Sequence, residues 1–144
     1  MLLHNDLSAG TDTVTVTTGN SGGLSGDAFD GVTGSLTYSV AELPTLSDMA
    51  VLIPSSASPG DVSWNYTPAS DTDIYTRMYV YFTGSVPGNQ VMAHSGSGGA
   101  VSTITFSGGH WRLQCGAGTA TGSSTPAAGL WYRVELHTDR KSVV

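Results

Sequence analysis

The chain has 144 residues, five Lys and Arg against eleven Asp and Glu, and a formal net charge of −6. That length suits one domain with a real core, and the acidic balance excludes nucleic acid as a partner, because phosphates require Lys and Arg. Ser, Thr, Gly and Pro make up 62 residues, yet β-branched and aromatic residues fall in discrete clusters. The composition therefore reads as a folded, turn-rich β protein rather than a disordered one.

In chain order, Thr13 to Thr18 alternates apolar and polar residues, the period-2 mark of a half-buried strand. Gly19 to Gly26 is a Gly/Ser/Asn loop. Asp27 to Val32 is a short strand or bend carrying Phe29. Ser35 to Val40 is a strand with Leu36, Tyr38 and Val40 on one face. Met49 to Ile53 is too short an apolar run for a helix and predicts a buried strand ended by Pro54. Ser55 to Pro68 reads as a loop around Trp64 and Tyr66.

Asp73 to Thr83 (DIYTRMYVYFT) is the strongest strand. Ile74, Thr76, Met78, Val80 and Phe82 form the expected core face, and Tyr75, Arg77, Tyr79 and Tyr81 the opposite one. Strands follow over Gln90 to His94, Ala100 to Phe106 and His110 to Cys115, separated by Gly-rich turns. Trp111, Leu113 and Cys115 share one face, and the single Cys115 is expected to face the core. Gly116 to Gly129 reads as a loop. In Leu130 to His137, Leu130, Tyr132, Val134 and Leu136 share one face, and Trp131, Arg133, Glu135 and His137 the other. No segment carries a helical stripe. Eight or nine short strands predict an all-β antiparallel sandwich or jelly roll.

The ends carry their own expectations. Met1 to Asp6 has no basic or long apolar leader pattern, and no apolar stretch approaches the roughly 20 residues that span a bilayer. Asp139 to Val144 matches the translation of GAT CGG AAG AGC GTC GTG, the start of a common sequencing adapter whose next codon is TAG. Residues 139–144 are thus expected to be a non-native read-through tail, with natural sequence stopping near Thr138. The alternative is a natural basic tail.

The order GDAFDGV, SLTYS, YTRMYVYFTGSVPGNQ, GGHWRLQ and GLWYRVEL resembles the laminin-G-like branch of the concanavalin A-like jelly rolls. It is most similar to versions in actinobacterial and phage minor tail or surface proteins. The resemblance covers residues 3–137 and implies one partial jelly-roll domain over residues 1–138, incomplete because such domains continue with further strands. It also implies a virion, extracellular or cell-surface setting. Partners would be a glycan or cell-surface polysaccharide, or neighbouring virion or surface subunits. Many such domains bind Ca²⁺ at one rim through loop oxygens. Asp27 and Asp30, or Asp71 and Asp73, are the candidate ligands here; the alternative is that they cap turns. No other cofactor is expected.

Catalytic patterns are weak. Glycoside hydrolysis needs two facing carboxylates, and the chain has two Glu, Glu42 and Glu135, with no alternating acidic strand. Glu135 follows Arg133 on one strand face, which predicts a surface ion pair. The Gly19–Gly23 and Gly96–Gly98 segments lack the strand-to-helix setting of a nucleophile elbow. His4, His94, His110 and His137 are not at ligand spacing and read as solvent-facing. The expected function is therefore non-catalytic binding. Sugar rings stack their apolar faces on Tyr or Trp, while Arg bonds their polar rims. Tyr75, Arg77, Tyr79, Tyr81, Trp131 and Arg133 are the candidate ligand-binding residues, with Trp64 and Tyr66 as a second contact site. The alternative is that these side chains pack under loops or against further strands. An accessory fragment of a glycan hydrolase and a purely structural virion domain are the competing functions.

Overall fold

A computed structural model describes residues 3–8, 10–22, 26–43, 48–54, 60–66, 73–84, 86, 88, 90–96 and 99–139. Asp71, Ser97, Gly98 and all of the expected tail beyond Asp139 lie outside them. The described residues are all-β, with antiparallel pairing throughout and a single 3₁₀ turn at Thr18–Asn20. The chain forms two compact units, Met1–Thr67 and Pro68–Val144.

In the first unit β1 (Gly31–Thr33) pairs with β4 (Asp61–Ser63), and β2 (Thr37–Ser39) with β3 (Ala50–Leu52). The core is Val16, Phe29, Leu36 and Tyr38, flanked by Leu7, Val32, Met49, Val51, Val62 and Trp64. Tyr38 is buried, and its hydroxyl donates to the Asn20 carbonyl at 2.8 Å. The strand expected over Thr13 to Thr18 is reduced to a single bridge, Thr15 to Thr37. Thr13 sits at φ 67°, a left-handed backbone that interrupts extension. Thr17 and Asn20 then cap each other reciprocally and turn the chain into the 3₁₀ segment. Met49 to Ile53 is not a buried run. Leu52 and Ile53 are exposed, because a three-residue ribbon covers only what lies beside Tyr38. Within the expected Ser55 to Pro68 loop, β4 is a strand that apolar periodicity did not reveal.

The second unit holds β5 (Ile74–Tyr81), β6 (Gln90–Gly96), β7 (Gly99–Ser107), β8 (His110–Cys115), β9 (Gly118–Thr121) and β10 (Trp131–Thr138). Strands β6 to β9 form a meander in chain order, and β5 and β10 form a separate antiparallel ribbon. Gly108 and Gly109 join β7 to β8 with both φ angles positive, as a tight two-residue hairpin turn demands. The ribbon lies against the meander through β10, which packs on β6 and β7. Between the layers sit Met92, Val134 and Leu136, with Met78, Val80, Ile104, Trp111 and Tyr132 packed around them. Phe82 extends this core as an aromatic cluster, 6.4 Å from Phe106, 6.2 Å from Trp111 and 6.1 Å from Tyr132.

The inner face of β5 is half-buried rather than fully covered, and Tyr75, Arg77 and Tyr79 are exposed as the alternation predicts. Three expectations are corrected. Cys115 is exposed, as is Leu113. A two-stranded ribbon is too narrow to cover β8 as well as β6 and β7, so only the start of β8, His110 and Trp111, is sheltered. Leu130 precedes β10 and is 55% exposed, so it lies outside the core that takes Val134 and Leu136. His94 is buried, not solvent-facing, for reasons given below.

Candidate functional site

Strands β5 and β10 run antiparallel with Trp131 opposite Tyr81, Arg133 opposite Tyr79, Glu135 opposite Arg77 and His137 opposite Tyr75. The inner residues of both strands are drawn to the core by Met78, Val80, Val134 and Leu136. Period-2 geometry then sends every one of the opposed pairs above to the other face. All six candidate residues, Tyr75, Arg77, Tyr79, Tyr81, Trp131 and Arg133, are thereby gathered on one side of one ribbon. Same-face positions recur about every 6.7 Å along a strand, so the rows from Tyr75 to Tyr81 span about 20 Å.

The two ends of this face are aromatic and its middle is ionic. At one end Tyr81 and Trp131 pack at 5.3 Å with rings tilted 45°. At the other, Tyr75 and His137 stack at 4.2 Å with planes 2° apart, and His137 Nε2 lies 3.1 Å from Asp73 Oδ1. In the middle, Arg77 Nε donates to Glu135 Oε1 at 2.5 Å, while Arg133 Nε stands 3.6 Å from that same oxygen. The expected partner of Glu135 was Arg133, two positions away on its own strand. The closer one is Arg77, directly across the ribbon. Tyr75 is 72% and Tyr79 51% exposed. His137 and Asp73 belong to this face but were not singled out as contacts. Alternation placed His137 beside Trp131 and Arg133, and only the strand register supplies Tyr75 and Asp73 as its neighbours.

Trp64 is not a free contact. Its ring packs 5.0 Å from Phe29, and its Nε1 donates to the Ala28 carbonyl at 2.9 Å. Tyr66 is exposed. Asp27 accepts from the His4 backbone N–H at 2.8 Å, and Asp30 from that of Asn65 at 2.7 Å, so these two candidate Ca²⁺ ligands tie down segments distant in sequence rather than capping their own turns. Among the described residues no three His, Cys, Asp or Glu side chains converge as a metal site would need.

A second polar cluster is internal. His94 of β6 meets Thr76 Oγ1 of β5 through Nε2 at 2.6 Å, and Thr138 Oγ1 of β10 through Nδ1 at 2.6 Å. Ser102 of β7 shares a hydrogen bond with the Thr138 hydroxyl. Hydroxyls from two strands, one of them backed by Ser102 of a third, thus satisfy an imidazole that sequence alone placed in solvent. Burial, then the nearby charge of His137, holds the His94 imidazole below its ordinary value. The contact superficially resembles a hydroxyl–imidazole nucleophile pair. However, both ring nitrogens meet threonines and neither meets a carboxylate, and Thr138 is 4% exposed. A groove of about 230 Å³ along β7, lined by Val101, Thr103, Thr105 and Gln114 among others, contains no ionisable side chain.

The chain matches no protein-family model, no curated protein and no solved structure. Among the described residues no helix is long and apolar enough to cross a membrane.

Proposed function

We propose that the outer face of the β5–β10 ribbon is a glycan-contact surface. On this reading the chain is a non-catalytic binding or adhesion module of laminin-G-like, concanavalin A-like jelly-roll type, in a phage tail protein or bacterial surface protein. The sequence resemblance supplies the setting. The observation that carries the binding role is the register that aligns exposed Tyr75 and Tyr79 and half-buried Tyr81 and Trp131 with two arginines on one outer face. An aromatic ring offers a flat apolar platform for the C–H face of a sugar, and a guanidinium offers donors in a fixed plane for its hydroxyl rim. Exposed aromatics of this size, rimmed by polar groups, mark interaction sites.

A binding rather than hydrolytic role is supported by the carboxylates. Glu135 is held by Arg77 and Asp73 by His137, so each already has a partner on the ribbon, whereas hydrolysis needs two carboxyl groups facing each other across the scissile bond.

The test is binding of the full chain to a panel of immobilised neutral and charged polysaccharides, beside Tyr75→Ala and Tyr79→Ala. Saturable binding is expected, weakened by each substitution with the thermal transition unchanged. Absence of binding to every polymer, or binding indifferent to both substitutions, would overturn the proposal.

A further inference from the structure

We infer that the ligand of the β5–β10 face is an acidic polysaccharide bearing spaced carboxylates, a uronate-containing chain rather than a neutral or densely sulfated one. This inference rests on the glycan-contact reading and adds the ligand class.

The argument begins with charge placement. The chain has only five Lys and Arg against eleven Asp and Glu, yet Arg77 and Arg133 stand on this one face. Both approach a single carboxylate oxygen, Glu135 Oε1. Arg77 satisfies it with a short contact at 2.5 Å, whereas Arg133 at 3.6 Å is beyond hydrogen-bond distance. The Arg133 guanidinium therefore makes no hydrogen bond to any described residue, and its side chain is 59% exposed. Although it is within ion-pair distance of Glu135, it presents a planar fork of donors with no hydrogen bond to a described residue, the geometry that takes a carboxylate through two parallel bonds.

The neighbours of Arg133 restrict the ligand further. Tyr79 is directly opposite it, and Trp131 and Tyr81 form the next row. A sugar laid over those rings must offer an uncharged apolar face, while the charge it offers to Arg133 must come from the same or the adjoining sugar. Beyond Glu135 the far row, Tyr75 and His137, is again a flat platform. Aromatic, cationic, ion-paired and aromatic rows in succession suit a polymer whose carboxylates are separated by neutral surface. A densely sulfated chain would place further anions against Glu135 and Asp73. The overall negative charge of the protein does not forbid this, since at physiological ionic strength charges more than about 8 Å away are largely screened.

The experiment compares uronate polymers (polygalacturonate, alginate, hyaluronate and glucuronoxylan), each beside its carboxyl-reduced counterpart, together with neutral glucan and heparin. The full chain is tested with Arg133→Gln, Arg133→Lys and Tyr79→Ala. The expected result is binding to at least one uronate polymer and loss of binding on carboxyl reduction. Arg133→Gln should weaken it about tenfold, and Arg133→Lys should recover only part of that loss. Equal binding to reduced or neutral polymers, lost in Tyr79→Ala but untouched by Arg133→Gln, would overturn the acidic-ligand inference and leave the glycan-contact reading standing. So would preference for heparin over every uronate polymer. Failure to bind any polymer would overturn both.

Discussion

Leu130 and Leu136 occupy the same side of one alternating segment, and the structure separates them sharply. Leu136 is 3% exposed between the ribbon and the meander, whereas Leu130 is 55% exposed. Leu136→Ala removes three carbons from the core, worth roughly 2.4 kcal/mol at about 0.8 kcal/mol each. The cavity adds to this, within an observed range of about 2–5 kcal/mol for such truncations. Met78 and Met92 belong to the same core, and their flexible thioethers can move into part of the gap. A cost near 3 kcal/mol is therefore expected. In a unit of this size each kcal/mol lowers the transition by about 4–8 °C, so Leu136→Ala should melt at least about 12 °C below the parent chain. Leu130→Ala should stay within about 0.5 kcal/mol. Urea unfolding followed by tryptophan fluorescence, with calorimetry beside it, measures both. Equal destabilisation by the two variants, or a Leu136→Ala cost below about 1 kcal/mol, would show that the inner face is misassigned.

Three further outcomes follow from single contacts. Because the buried His94 imidazole sits below its ordinary value of 6.5 in the folded state, the unfolded chain takes the proton first on acidification. Stability should be full above about pH 6.5 and fall below it. His94→Gln should flatten that fall, and identical urea midpoints against pH for the two chains would refute it. Glu135→Gln should change stability by less than about 1 kcal/mol, because the Arg77 contact is half-exposed and solvent-screened; a loss above about 2 kcal/mol, read from the same urea curves, would contradict this. Gly10→Ala should destabilise the first unit by about 1–3 kcal/mol or more, because the added methyl would overlap the ring of buried Tyr38. A thermal transition unchanged by that substitution would contradict the packing.

Much of the second unit was legible in the sequence because its information is local. Period-2 alternation in Ile74 to Tyr81 and Trp131 to Thr138 separates a core face from an outer face without knowledge of any partner, and Gly108-Gly109 announces a tight hairpin by its conformational freedom. The six candidate contact residues were likewise readable as two outer faces. Other elements were not legible. β4 and β9 lack an apolar rhythm and exist through backbone pairing with β1 and β8. Thr13 to Thr18 has the rhythm but is broken by backbone geometry and a reciprocal cap.

Tertiary structure alone decided which outer faces adjoin. It set Arg77 closer to Glu135 than the strand neighbour Arg133, which stays within ion-pair distance, and stacked His137 on Tyr75. It also buried His94 and exposed Cys115, because a two-stranded ribbon covers β6 and β7 but not the far end of β8. The physical reason is common to all of these. Periodicity reports which way a side chain points relative to its own strand, whereas register and layer width depend on hydrogen bonds and packing between segments far apart in the chain, for which no local pattern exists.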